Sequence, residues 1–130
     1  MSKKIIYTPY APEPIGPYSQ GVQFGNMMFV SGQIAIEPET GAVFRGIIED
    51  ETHLVMKNLK TVLAEAGFSL NDIVKTTIFV KDLNNFEKIN WVYGEYMGES
   101  RPARETVEVS RLPKDVNVEI SCIAMSNIML

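Results

Sequence analysis

The sequence predicts a single α+β domain with one mixed β-sheet and two helices on one face of that sheet. Two segments show the periodicity of amphipathic helices, and the segments around them alternate as half-buried strands do. The predicted order is two strands, a short third strand that the pattern leaves open, helix, strand, helix, strand and strand. With 130 residues the chain can bury one core, so one domain is predicted over residues 1–130.

The first part of the chain predicts a turning segment followed by a β-hairpin. Four prolines in residues 7–17 disfavour regular structure there. Residues 18–24 and 27–36 then have strand character, and Gly25-Asn26 between them is typical of a tight turn. A short third strand is predicted near Val43.

The first helix is predicted over residues 50–66. Asp50 is suited to cap its N terminus and Gly67 to end it. Its apolar stripe comprises Val55, Leu59, Val62 and Ala66.

The second helix is predicted to begin at Asn84, with Glu87 completing a capping box, and to end at Gly98. Asn90 lies at the edge of its apolar face, so we expect a partly buried amide that needs a hydrogen-bond partner. The apolar face comprises Phe86, Ile89, Val92, Tyr93, Tyr96 and Met97.

Residues 73–80 form the most apolar predicted strand, since Ile78 and Val80 oppose Phe79 at its far end. A strand that is apolar on both sides is typical of the centre of a sheet with both faces covered. Two helices can cover only one face, so the other face is expected to pack against another subunit. We therefore predict an oligomer, with Trp91 as a candidate interface residue because it lies off the helical stripe.

The last quarter of the chain predicts two more strands, near Val107 and Val109 and over residues 116–124, with a loop at residues 112–115. Two strands joined by a short loop most simply form an antiparallel hairpin. This hairpin would bring Arg104, just before the first strand, close to Glu119 in the second.

An arginine in this position can bind a carboxylate with two parallel hydrogen bonds. Surface pairing of Arg104 with Glu105 or Glu108 is an equally good interpretation. Glu119 lies in an otherwise apolar strand, where a carboxylate is unfavourable unless it faces solvent, a cleft or a partner. Solvent exposure is the simpler interpretation unless the oligomer covers that face.

Other candidate residues have ordinary structural explanations as well. Tyr18 could offer a hydroxyl, and Ser31-Gly32 a hydroxyl and a backbone N–H, but turn formation and packing account for them too. His53 is expected to be exposed. Cys122 is expected to be an inert core thiol, because it alternates with the apolar residues of its strand.

Composition narrows the classes of function. The chain is 45% hydrophobic and 22% charged, as in ordinary globular proteins, and its net charge of −4 argues against a nucleic-acid surface. One histidine and one cysteine cannot form a His/Cys zinc site within one chain, and no metal or cofactor is expected. A single cysteine, the lack of a signal-like start and the lack of a membrane-length apolar run predict a cytoplasmic protein without a membrane partner.

Several short motifs together resemble a known family. They are Ile15-Gly16-Pro17-Tyr18, Gly25-Asn26-Met27, Ser31-Gly32-Gln33-Ile34, residues 74–83, Arg101-Pro102-Ala103-Arg104 and residues 107–115. On these motifs, which extend from about Ile15 to Ala124, the chain resembles the RidA/YjgF family.

The resemblance implies a chorismate-mutase-like fold, a homotrimer with clefts between subunits, and a small carboxylate substrate. The implied reaction is hydrolysis of reactive 2-imino and enamine acids, such as 2-aminoacrylate/2-iminopropanoate and 2-iminobutanoate, to 2-oxo acids and ammonia. Carried over by motif, Arg104 would bind the substrate carboxylate and Glu119 would position the attacking water. The cleft would also be lined by Tyr18, Ser31, Gly32, Asn90 and the backbone of Thr106.

The chain departs from the family pattern beside this expected cleft. Thr106 stands where well-known members carry cysteine, and the segment 96–101 is shorter, with Arg101 in place of an apolar residue. These changes bear on substrate preference more than on the reaction.

Two other functions stay open. One is a regulatory trimer that binds small carboxylates without turnover, because every proposed site residue could serve to hold a carboxylate. The less favoured one is an RNA-cleaving translation inhibitor, for which His53 would be the only histidine available as a base.

Overall fold

The computed structural model describes residues 2–127, which form six strands and two helices joined by short turns. The helices are α1 (Ile48–Glu65) and α2 (Phe86–Met97). The strands are β1 (Lys4–Ile6), β2 (Gly21–Phe24), β3 (Met27–Gln33), β4 (Ile73–Val80), β5 (Ala103–Glu108) and β6 (Val118–Met125).

The strands form one mixed sheet in the order β1-β2-β3-β6-β4-β5. Only β4 and β5 pair in parallel, and the predicted α+β class with one mixed sheet is confirmed. The predicted terminal hairpin is wrong, because β4 lies between β5 and β6. The chain leaves β4, crosses through α2 and returns as β5 in the same direction, so both free edges of apolar β4 gain a partner.

The predicted hairpin of β2 and β3 is confirmed. Phe24 lies opposite Met27, and Gly25 makes the turn with φ of 60°, a value that favours glycine. Both strands are shorter than predicted: β2 begins at Gly21, and β3 stops at Gln33 because its register with β6 shifts there. The third strand near Val43 is reduced to a single bridge with Ile36, and β1 was not predicted.

Both helix starts differ from the predictions. Asp50 lies within the first turn of α1, whose N-cap is Ile47, and there the carboxylates of Glu49 and Asp50 are favourably placed near the positive end of the helix dipole. Asn84 belongs to a 3₁₀ turn before α2, so no capping box forms with Glu87.

Both predicted helix ends are confirmed. Gly67, with φ of 80°, follows the end of α1, and Gly98 follows α2 directly.

The main core lies between the helices and one face of the sheet. Val55, Leu59 and Val62 of α1 and Ile89 of α2 are buried against Ile78 of β4. Cys122 lies in the same core, as predicted, and burial raises the pKa of its thiol to about 12, so the reactive thiolate is scarce.

The opposite face of the sheet, which we call the open face, remains half exposed. Val22, Phe29 and Ile123 form a cross-strand row there, and Phe29 is 40% exposed. A small second cluster around Leu112 and Val116 covers only one end of this face. Within one chain, therefore, β4 is covered by helices on one face and not on both, and the oligomer stays a prediction.

No helix among residues 2–127 is long and apolar enough to span a lipid bilayer.

Candidate active site

A cleft of about 310 Å³ lies where the N-terminal segment, the end of β3 and the start of β6 meet. We call it the glutamate cleft, because Glu119 of β6 lies in it. Three other residues that the sequence predicted for the site line the same cleft: Tyr18, Ser31 and Gly32. The structure therefore brings four of the candidate residues together.

Gly32 allows the Glu119 carboxylate to lie directly against the backbone of β3. A Cβ atom at position 32 would stand 2.5 Å from Glu119 Oε2 and 2.7 Å from its Cδ. The register shift between Val30 and Gln33 places Gly32 at this point. Glu119 is half buried rather than openly exposed to solvent as predicted, and this burial raises the pKa of its carboxyl above its ordinary value.

Tyr18 and Ser31 offer hydroxyl groups that are already oriented by the backbone. The Ser31 hydroxyl donates to the Ser19 carbonyl at 2.6 Å, and the Ser31 N–H donates to the Gln20 carbonyl at 2.9 Å. The Tyr18 hydroxyl accepts from the Ile15 N–H at 3.3 Å, and its ring is exposed. As an acceptor in this bond, the phenol keeps its own proton for donation to a ligand.

A turn at residues 112–116 forms one wall of the cleft through Pro113. Lys114 and Asp115 both have φ of 56°, a region that side chains rarely adopt. Arg45 donates to the carbonyls of Lys114 at 2.8 Å and Asp115 at 3.2 Å, and Lys81 pairs with the Asp115 carboxylate at 2.6 Å. The hydrogen bond and the charge of Lys81 lower the pKa of that carboxyl.

The same turn is fixed at its other end by Glu51, which is buried in the first turn of α1. Its carboxylate accepts from the backbone N–H and from the side-chain amide of Asn117, both at 2.8 Å. Asn117 precedes Glu119 by two residues, so this contact fixes where β6 begins. Sequence reasoning missed Glu51, Arg45 and Lys81, because only the fold brings them to the turn.

A second group, which we call the arginine cluster, lies at the edge strand β5. Arg104 Nη1 donates to Asn90 Oδ1 at 2.7 Å, and the guanidinium carbon lies 5.0 Å from the Tyr93 ring centroid and 5.5 Å from that of Phe86. These contacts hold the guanidinium in one orientation by cation–π attraction and a hydrogen bond.

The partner predicted for Asn90 is thus Arg104, although the amide is exposed rather than partly buried. The alternative pairing of Arg104 with its acidic neighbours is not observed among residues 2–127. Glu105 pairs with Lys75 at 3.2 Å, and Glu108 accepts from the Leu83 N–H. No carboxylate among residues 2–127 therefore forms a salt bridge with Arg104.

Tyr93, whose ring contacts the Arg104 guanidinium, is itself hydrogen-bonded to Thr76. Their hydroxyls are hydrogen-bonded to each other at 2.8 Å, and burial raises the pKa of Tyr93. Thr106 follows Arg104 by two residues in β5, so both side chains are on the helix side of the sheet. Among the described residues, Thr106 Oγ1 is the buried side-chain polar atom without a hydrogen-bond partner.

Arg104 and Glu119 do not meet within one chain, so the predicted approach of the two is wrong. Arg104 lies within β5 rather than before it, opposite Thr76, which is opposite Cys122 of β6. Two strand spacings and three residues along β6 separate their Cα atoms by about 14 Å. The two side chains also point to opposite faces of the sheet.

His53 is half buried rather than exposed, and its Nδ1 is hydrogen-bonded to the Tyr96 hydroxyl at 3.0 Å. It belongs neither to the glutamate cleft nor to the arginine cluster. Across residues 2–127, no group of three or more histidine, cysteine, aspartate or glutamate side chains is arranged to hold a metal ion.

The fold and the two clusters together define a class, a small α+β protein with an oriented guanidinium and a cleft carboxylate for a small ligand. Within that class the chain belongs to the RidA/YjgF family. Residues 8–126 match the family model described as Endoribonuclease L-PSP.

Several relatives and solved structures are similar over nearly the whole chain. A RutC family protein of Pyrococcus abyssi is 58% identical, with 95% of this chain and 98% of that protein covered. TdcF of Escherichia coli K12, provisionally named a reactive intermediate deaminase, is 47% identical, with 95% and 97% covered. The crystal structure of E. coli TdcF with bound serine has a TM-score of 0.90 at 46% identity, with 95% of this chain and 99% of that chain covered.

Proposed function

We propose that this protein hydrolyses reactive 2-imino acids and their enamine tautomers, including 2-iminopropanoate and 2-iminobutanoate, to 2-oxo acids and ammonia. The observation that carries the proposal is the Arg104 guanidinium, which is held by Asn90 and two aromatic rings and forms no salt bridge with a carboxylate among residues 2–127. An oriented guanidinium of this kind suits a carboxylate ligand. The provisional name of TdcF and the serine bound in its crystal structure support the same ligand class.

The proposed site forms between subunits of a homotrimer. Arg104 and Glu119 point to opposite faces of one sheet, so one small ligand could contact both only if a second copy of the chain supplies one of them. The half-exposed apolar open face gives such copies a surface to bury. The family resemblance supplies the trimeric stoichiometry.

In the proposed mechanism, Arg104 binds the substrate carboxylate, with Asn90 and the Thr106 backbone beside it. The glutamate cleft of a neighbouring subunit receives the imine carbon, and Glu119 accepts a hydrogen bond from a water molecule. Ser31, Gly32 and Tyr18 complete the walls around that carbon. Catalysis in such a site comes from orientation and proton transfer, the latter contributing about 10² to 10⁴-fold.

The bond changes need no group beyond water. The oxygen of the water that Glu119 orients bonds to the protonated imine carbon, the C=N π electrons move to nitrogen, and the added water releases one proton to the solvent. This forms a carbinolamine. A solvent proton then binds the carbinolamine nitrogen, the hydroxyl proton is released as the carbonyl forms, and the C–N bond breaks, which gives the 2-oxo acid and ammonia. The ammonia takes up the released proton and becomes ammonium.

Glu119 serves this role as an orienting acceptor more than as a full base. Burial raises the pKa of its carboxyl, which increases its proton affinity. The Arg104 guanidinium of a neighbouring subunit would lower that pKa again when the site is complete.

The test is to generate 2-iminobutanoate in solution with a threonine dehydratase and to follow 2-oxobutanoate release. The parent protein should exceed spontaneous hydrolysis, and Arg104→Ala should lower kcat/KM by about a hundredfold or more, because a desolvated carboxylate loses its cation. Lys60→Ala, which removes an exposed cation on α1, is the matched control and should keep the parent rate.

The proposal fails if the parent protein does not exceed spontaneous hydrolysis, or if Arg104→Ala retains the parent rate. If the parent protein does not exceed spontaneous hydrolysis, binding without catalysis would be the better description. In that case calorimetry with 2-oxobutanoate should still show binding by the parent protein and loss of binding in Arg104→Ala.

RNA cleavage is the second candidate, because the matching family model carries an endoribonuclease description. Incubation of the protein with single-stranded RNA, beside His53→Ala and Glu119→Gln, tests it. Cleavage that survives nuclease-free purification and is lost in either variant would favour this function over deamination.

A further inference from the structure

Glu51 is a buried carboxylate that the proposed mechanism does not use. It lies in the first turn of α1 and is 1% exposed, and no lysine, arginine or histidine among residues 2–127 forms a salt bridge with it. Removal of a carboxylate from water without a counter-charge is unfavourable unless its oxygens accept hydrogen bonds. The donors that its two oxygens contact therefore indicate why a carboxylate stands here.

Both oxygens of Glu51 contact Asn117, the residue immediately before β6. Oε2 accepts from the Asn117 backbone N–H and Oε1 from its side-chain amide, each at 2.8 Å. Because both of these Asn117 groups are donors, a carboxylate, which only accepts, matches them with its two oxygens. The Asn117 carbonyl accepts from the Lys81 N–H at 3.0 Å, so Asn117 is held at its N–H, its carbonyl and its side chain.

This contact lies where β6 has a strand partner on one side only. β4 pairs with the start of β6, whereas the pairing with β3 reaches only as far as Gln33 opposite Ile120. Along β6, Glu119 therefore lies between the last pair with β3 and the Asn117 contact. Glu51 supplies the hydrogen bonds that hold the chain on the side of Glu119 where β3 has ended.

We propose that Glu51 is a positioning residue for catalysis, which acts through Asn117 to set where the Glu119 carboxylate lies in the glutamate cleft. This inference rests on the proposed deaminase function and extends it to a residue that does not line the cleft. Arg104 binds the substrate carboxylate in that mechanism, and Glu119 orients the water. Displacement of Glu119 should therefore lower kcat and change KM little.

The kinetic test compares Glu51→Ala and Glu51→Gln with the parent protein on 2-iminobutanoate. Glu51→Ala should lower kcat by about tenfold to a hundredfold, because the Asn117 donors lose both acceptors and Glu119 moves with them. Glu51→Gln should recover most of this loss. After rotation of the Asn117 amide, the glutamine oxygen accepts from the backbone N–H and its NH₂ group donates to Asn117 Oδ1.

Thr52→Val is the matched control. Thr52 is buried in the same turn of α1, and its hydroxyl donates to the Ile48 carbonyl at 2.8 Å, within the helix. The substitution disturbs this turn without touching Asn117, so kcat should stay at the parent value. All rates are measured well below the melting temperature of every variant. If Glu51→Ala does not fold, Asn117→Ala, which keeps the backbone N–H, carries the same test with a smaller expected loss.

A second measurement reports the position of Glu119 without any turnover. In protein labelled with ¹³C-glutamate, the side-chain carboxyl signal of Glu119 is identified by its absence in Glu119→Gln. We expect this signal to shift in Glu51→Ala and to keep its parent position in Thr52→Val. A merely structural role of Glu51 would lower stability and leave the signal of the folded protein in place.

The outcomes separate this inference from the proposed function. If the parent protein hydrolyses the imine and Glu51→Ala keeps the parent kcat and the parent Glu119 signal, the positioning role is wrong and the deaminase stands. An equal loss of kcat in Thr52→Val would also overturn the positioning role. If the parent protein hydrolyses no imine, the deaminase is wrong, and the Glu119 signal alone then supports or overturns the effect of Glu51 on Glu119.

Discussion

At the scale of single residues, the contact between Gly32 and Glu119 determines where the cleft carboxylate lies. The missing Cβ of Gly32 leaves the space that the carboxylate fills, since that Cβ would lie 2.5 Å from Oε2. The contact atoms belong to the end of a flexible side chain. A larger residue at position 32 should therefore move Glu119 rather than unfold the chain.

We predict that Gly32→Ala lowers kcat/KM for 2-iminobutanoate by up to about a hundredfold, because it misplaces the carboxylate by an ångström or more. Circular dichroism and the melting temperature should stay close to the parent values. In a Glu119→Asp background, whose carboxylate is one methylene further back, the same change should have little additional effect. An equal loss of kcat/KM in both backgrounds would show that Gly32 affects catalysis by a mechanism other than the placement of the Glu119 carboxylate.

Comparison of Thr106 with Thr76 measures how a hydrogen-bond partner changes the contribution of a buried hydroxyl group to stability. Thr76 is hydrogen-bonded to Tyr93, whereas Thr106 Oγ1 has no partner in the described structure. Thr106→Val should raise the free energy of unfolding by about 1 kcal/mol, and Thr76→Val should lower it by about 1 to 3 kcal/mol. Urea unfolding of both variants checks this. Destabilisation by Thr106→Val would mean that its hydroxyl has a partner in the assembled protein.

At the scale of secondary-structure elements, the turn at residues 112–116 is held in an unfavourable conformation by side chains from elsewhere. Arg45 donates to two carbonyls of the turn, and Lys81 pairs with its carboxylate. Glu51 accepts a hydrogen bond from the adjoining Asn117. The turn in return presents Pro113 to the cleft. Backbone strain near a candidate site is thus offset by contacts to more distant parts of the chain.

Lys114→Gly should raise the free energy of unfolding by about 0.5 to 1 kcal/mol, because glycine adopts φ of 56° without steric strain. Lys114→Ala loses the same side chain beyond Cβ and should give no such gain. Denaturant midpoints of the two variants measure the difference. Equal midpoints would indicate that position 114 is not strained in solution.

At the scale of the whole molecule, the open face of the sheet carries apolar side chains that remain partly exposed in one chain. Phe29, 40% exposed, lies near its middle, whereas Trp91, 72% exposed, lies on α2 on the other side of the sheet. Both residues are candidates for the subunit interface. Because Phe29 and Trp91 lie on opposite sides of the sheet, substitution of each residue tests which side forms the subunit interface.

We predict that Phe29→Glu converts the proposed trimer to monomers and removes the proposed activity, because a carboxylate would be buried without a partner. Trp91→Glu should leave the sedimentation coefficient unchanged. Analytical ultracentrifugation of the two variants decides between the faces. Dissociation by Trp91→Glu alone would place the interface on α2.

Mixing two inactive variants tests whether the site lies between subunits. If each site takes Arg104 from one chain and Glu119 from the next, co-expressed Arg104→Ala and Glu119→Gln chains should recover about one quarter of the parent activity. Either variant alone, or the two mixed after assembly without exchange, should stay inactive. Inactivity of the co-assembled oligomers would show that both residues must come from one chain.

The sequence alone determined the local features of this protein. The periodicity of α1 and α2, the turn at Gly25 and the burial of Cys122 all follow from the pattern of apolar and turn residues, and the structure confirms them. Such features depend on neighbours a few residues apart, which is why a single sequence is enough. The motifs also indicated the family to which the chain belongs.

Only the tertiary structure decided how strands pair and which residues meet. The last two strands look like a hairpin in sequence, but β4 lies between them because the α2 crossover makes β5 parallel to it. That one difference separates Arg104 from Glu119. Strand order depends on which edges bury the most apolar surface, a property of the whole chain that local patterns do not contain.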